Sequence, residues 1–125
     1  MTPIPFVPEL HFEHVKGWLQ HWNESMTPEA LPKTGFIIPD KAVGFLYRTD
    51  SSMALIENLV ARPGLSREER NEAVDAIVTA VCEEAARQGF KTLLGYTVLD
   101  AVVKRAQRHG FLYVAGAFHL VARPL

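Results

Sequence analysis

The spacing of apolar positions changes from segment to segment along this chain, and each change marks an element. Between residues 9 and 24, Phe12, Val15, Trp18, Leu19 and Trp22 recur at helical steps, with Glu13, Lys16 and Gln20 on the other side. This predicts an amphipathic helix from about Glu9 to Glu24. The proline-rich start before it leaves IPFV as a short edge strand, where proline is tolerated. Residues 25–34, with Pro28 and Pro32, predict a loop or a single helical turn. GFIIP, AVGFLYR and MALIENLVA then follow as apolar runs, divided by Pro39-Asp40-Lys41 and by TDSS, and predict a three-strand meander. From Ser66 to Gln88 the period becomes helical again, with Val74, Ile77, Val78, Val81 and Ala85 in one stripe and Gly89 as the stop. FKTLLGYTV predicts a strand. Asp100 is placed to cap a helix over 101–109 that ends at Gly110, and FLYVAGAFHLVARPL predicts one or two closing strands with a bend at Gly116.

The order is strand–helix, three strands, helix, strand, helix, then the closing strands. It predicts an α/β (α+β) domain covering residues 1–125. Antiparallel strands lead into a strand–helix–strand crossover that sets two strands parallel. At the junction of the two pairing modes neighbouring strands can diverge, and a ligand cleft is expected there.

Composition narrows the picture further. Apolar residues make up 48% of the 125, enough for a substantial core. The formal net charge of −1 provides no global field for nucleic acid or an anionic membrane. Cys82 is the single cysteine, so there is neither a disulfide framework nor a cysteine zinc site, and a reducing, cytoplasmic setting is expected. His11, His14 and His21 lie on the first helix and are read as solvent-facing rather than as metal ligands.

Several phrases in this order resemble the GNAT superfamily of N-acetyltransferases. AVGFL is similar to that family's third strand with its Val-Gly step. ENLVARP is similar to the fourth strand and its Val-x-Pro exit, here Ala61-Arg62-Pro63. The helix over 66–88 with GFKTLLGYTV resembles the third helix and fifth strand, and AVVKRAQRHGF resembles the fourth helix with its closing Gly110-Phe111. The resemblance covers residues 35–125 well and the first third loosely. It implies a mixed, mostly antiparallel sheet of six to seven strands flanked by about three helices. It also implies acetyl-coenzyme A as co-substrate and direct transfer of an acetyl group to the amine of a small molecule or protein. A homodimer or an assembly partner stays open.

On that resemblance Glu57 becomes the general base, sitting where many members carry one. A carboxylate on an apolar strand must face solvent, a cleft or a cation, because burying it unpaired is costly. Asn58 falls on the other face by strand alternation. The backbone around Leu59 and Ala61 becomes the thioester site. The pyrophosphate is expected at the start of the helix over 66–88, with Arg62, Arg67 and Arg70 as contacts. There the sequence departs from the family. SREERNEA lacks both motif glycines, and Ser66 with Glu69 fits a capping box instead. The usual tyrosine of the fourth helix falls on Ala106, which leaves Tyr96, with Tyr113 behind it, as candidate leaving-group acid. His119 is a second base candidate, and Lys104, Arg105 and Arg108 form a basic helix face. The alternative reading is a protein of this fold without acyl transfer, serving as a binding or assembly module in a bacterial or viral complex.

Overall fold

The computed structural model describes residues 1–114, 116 and 121–125. His119 and part of the expected closing strands lie outside the described residues. The described residues fall into two units, Met1–Gly95 and Tyr96–Leu125.

In the first unit, strand β1 (Ile4–Pro5) precedes helix α1 (Pro8–His21). Proline at the helix start needs no N–H partner there. The His11 ring completes this end: its Nδ1 accepts the Val7 N–H at 2.9 Å. Phe12, Val15, Trp18 and Leu19 are the buried face, as the spacing predicts, but Trp22, expected on the same stripe, lies past the helix end and is exposed. The helix stops three residues earlier than expected. Asn23 takes a left-handed conformation (φ 59°), and the Glu24 N–H returns to the Leu19 carbonyl at 2.8 Å. This left-handed cap lifts Glu24 out of the helix.

Strands β2 (Gly35–Ile38), β3 (Ala42–Tyr47) and β4 (Met53–Ala61) form the predicted meander. Helix α2 (Arg67–Arg87) crosses over to β5 (Thr92–Leu94), which runs parallel to β4. The sheet order is β1-β2-β3-β4-β5, antiparallel except for the last pair. Five strands stand among the described residues, fewer than the six to seven expected. β5 is also far shorter than FKTLLGYTV, because it finds partners only along Met53–Leu55.

The two helices of this unit cover opposite faces of the sheet. Phe12, Val15, Trp18 and Leu19 join Ile37, Val43, Phe45 and Val60 in one cluster. On the other face Gly44 meets Ile77 of α2 so closely that an added Cβ would lie 2.7 Å from the Ile77 methyl. Only glycine permits that approach, which gives the Val-Gly step its physical reason.

The second unit contains helix α3 (Asp100–Arg108), which ends before a left-handed Gly110. Asp100 is the first helical residue rather than the cap. Leu99 holds the cap position, and its N–H is bonded by the Thr97 hydroxyl at 3.1 Å. No helix among the described residues is long and apolar enough to cross a membrane.

Candidate active site on strand β4

One extra residue governs the chemistry of β4. Val43 stands opposite Val60 and Phe45 opposite Glu57, so Gly44 alone faces both Asn58 and Leu59. This is a β-bulge, and Asn58 absorbs it with a left-handed backbone (φ 51°). Asparagine tolerates that conformation better than most side chains. The bulge overturns the alternation expected from sequence. Leu59 turns toward Gly44 and Ile77. The Asn58 amide instead meets Tyr47, which lies on the same face as Glu57.

A polar cluster results, built from three distant segments. The Tyr47 hydroxyl donates a short hydrogen bond to Asn58 Oδ1, and Asn58 Nδ2 donates to Glu24 Oε1 at 3.2 Å. Burial pushes the Glu24 carboxyl above the usual glutamate range, and the Asn58 amide partly offsets this. Burial likewise pushes the Tyr47 phenol up, and the charges of Glu57 and then Glu24 push it further. Tyr47 therefore stays protonated, and two carboxylates make its surroundings electronegative. The sequence singles out Glu57; nothing local in it brings Tyr47, Glu24 or the Asn58 amide to this cluster. The Asn-Leu pair inside an otherwise apolar strand was the available signal for a bulge.

Beyond this cluster the strands part. The parallel ladder ends at Leu55–Leu94, while β4 continues for six residues to Ala61. Ala42 stands opposite Ala61, and the Arg62 N–H bonds the Lys41 carbonyl at 2.8 Å. In an antiparallel pair this pattern points the amide groups of Ala61 itself away from β3. That side of β4 has no strand partner from Ile56 to Ala61 among the described residues. Leu59 and Ala61, the expected thioester site, lie on this stretch.

The start of α2 is closed from within. Ser66 Oγ accepts the Glu69 N–H at 3.1 Å and donates to Glu69 Oε1 at 3.2 Å, the capping box read from sequence. Lys41 Nζ binds the other carboxylate oxygen at 2.9 Å. No local pattern signals this ion pair, because Lys41 reads from sequence only as part of a turn. Of the expected phosphate contacts, Arg62 donates from Nε to the Asp40 carbonyl at 2.6 Å, Arg67 is exposed and Arg70 is half-buried on α2. Tyr96 opens the second unit in an exposed position, and Lys104 and Arg108 are exposed on α3. Burial, then the charge of Glu83, raises the Cys82 thiol, so its reactive thiolate form is disfavoured.

The Lys41 contact has a pH signature. Its hydrogen bond and charge, with help from Ser66, hold the Glu69 carboxyl below the ordinary glutamate range. A carboxyl lowered on folding stabilises above its unfolded pKa, and that contribution is lost as pH falls through the folded value. The wild-type Tm should therefore exceed that of Glu69→Gln by a small margin at pH 7. The margin should close below about pH 4. A gap that persists at pH 3 would refute the ionic origin. The effect is small because Glu69 is exposed and solvent screens the pair.

Comparison with known proteins places the fold. No family model matches the chain, and no curated protein matches it. Solved structures do. An acetyltransferase of Trypanosoma brucei superposes with a TM-score of 0.69 at 12% identity, over 96% of this chain and 98% of that one. Rv2747 from Mycobacterium tuberculosis, solved in complex with CoA, gives 0.74 at 14% identity, over 93% of this chain and 74% of that one. An aminoglycoside acetyltransferase from an uncultured soil sample, solved in complex with sisomicin, gives 0.68 at 11% identity, over 99% of this chain and 96% of that one. At such identities the likeness establishes the fold. The chain has the GNAT fold, in a divergent sequence.

Proposed function

We propose that this protein is a divergent GNAT N-acetyltransferase that uses acetyl-coenzyme A to acetylate a positively charged amine. The observation that carries the reading is the early end of the β4–β5 ladder. It leaves the Ile56–Ala61 stretch without a strand partner on the side away from β3 among the described residues, with Glu57 and its polar neighbours on the same strand. This edge fits the extended pantetheine arm, which can pair with it as an added strand would. Acetyl-coenzyme A, when bound, supplies a thioester carbonyl that the amine nitrogen attacks, forming C–N as C–S breaks.

This chain's residues do the rest. Glu24 and Glu57, gathered around Tyr47, attract an ammonium group. Glu57 then takes the proton that the nitrogen must lose, as a general base. The backbone N–H of Ala61, which points away from β3, is a donor available to a developing oxyanion. Thiolate is a good enough leaving group to take its proton from water, so no role is required of Tyr96. A relative of the same fold in complex with sisomicin, an aminoglycoside, supports an amine acceptor.

The second reading, a fold without acyl transfer, draws on the capping box. Ser66 and Glu69 satisfy donors that a pyrophosphate would otherwise meet, and Glu69 adds a negative charge. Calorimetry with acetyl-coenzyme A and desulfo-coenzyme A separates the two. Micromolar affinity is the expected result. Absence of binding at millimolar concentration favours the module and ends the enzyme reading.

A further inference from the structure

The end of α1 reaches across to the free edge of β4. Trp22 Nε1 donates to the Ala61 carbonyl at 3.0 Å, a contact spanning 39 residues of sequence. That carbonyl points away from β3, on the edge of β4 beyond the end of the β5 ladder. The indole thus occupies an acceptor that any strand-like ligand on this edge would seek. Trp22 is 45% exposed, whereas Trp18, one turn earlier, is 7% exposed within the core. Among the described residues its ring neighbour is His21, packed edge-on at 4.8 Å between centroids. Trp22 is also the last residue before left-handed Asn23. Its side chain can swing away without moving Trp18 or Leu19, which anchor the helix.

We infer that Trp22 is a latch on the free edge of β4, released when the amide-bearing arm of coenzyme A pairs with the Ala61 carbonyl. The inference rests on the cofactor reading above and adds a chain-encoded competitor to it. One hydrogen bond forms as the other breaks, so the latch lowers affinity without forbidding binding. It also covers a sheet edge that would otherwise be open to pairing with other chains.

The test follows the two indole N–H signals in 15N spectra of the whole chain, with Trp22→Phe providing the assignment. Coenzyme A should move the Trp22 signal and leave that of Trp18 in place. Adenosine 3′,5′-bisphosphate, which lacks the arm, should leave both in place. Trp22→Phe keeps an aromatic ring but frees the carbonyl. It should bind coenzyme A about three- to tenfold more tightly, the worth of one neutral hydrogen bond, with unchanged affinity for the bisphosphate. Binding of coenzyme A with an unmoved Trp22 signal, or with no gain in Trp22→Phe, overturns the latch and leaves the cofactor reading standing. Failure of both chains to bind coenzyme A overturns both. Should Trp22→Phe fail to fold, the wild-type signals alone decide.

Discussion

Glu57→Gln is expected to lower kcat by about 100-fold or more, the usual contribution of a positioned general base, while the affinity for coenzyme A stays within about twofold of wild type. The substitution keeps the size of the side chain and one hydrogen-bonding oxygen. It removes the group that takes a proton. Single-turnover acetylation of an amine by the purified chain gives the rate, and calorimetry gives the affinity. The split matters because a residue that only supports the strand would lose both together. An unchanged rate would move the base elsewhere in the cluster, with Glu24 as the next residue to replace. Glu24 is already pushed toward the range where a carboxyl serves as a base near neutrality.

Gly44→Val should cost about 1–3 kcal/mol of stability through overpacking, and lower Tm by several degrees, at about 3–5 °C per kcal/mol for a chain of this size. A Cβ there would lie 2.7 Å from Ile77 Cγ2 and 3.0 Å from Leu59 Cδ1. Ile77 is fully buried on α2 and Leu59 is half of the bulge, so neither can yield without moving something functional. Thermal unfolding of the two chains side by side measures the loss. A valine variant as stable as wild type would show that the α2 face of the sheet is packed more loosely than these distances require.

Much of the fold was legible because its signals are local. The meander strands, the helix over 66–88 and its capping box depend on period and on neighbours three or four residues apart, and all appear where expected. What escaped depends on partners distant in sequence. β5 ends early because only Met53–Leu55 are there to pair with it. Lys41 meets Glu69 through the fold alone. Glu24 read as the end of a helix, yet left-handed Asn23 sends it toward β4. Asn58 is the most instructive case. Strict alternation assigns it to the face opposite Glu57. The bulge breaks alternation at that residue, and so sets an amide beside a carboxylate on one side of one strand.

The self-contained start of α2 bears on how binding will look in the laboratory. A helix that waits for an anion to complete its first turn is partly assembled by its ligand, and heating the free chain then melts an unfinished protein. Here Ser66 caps that turn from the chain's own atoms, and Lys41 holds the Glu69 carboxylate beside it. Melting temperature in the absence of ligand therefore belongs to the complete domain. Any rise on adding coenzyme A reports mass action on a finished native state, about 2.7 kcal/mol when the ligand is at 100 times its Kd. Thermal shift can then serve as a quantitative affinity scale for this protein and its variants.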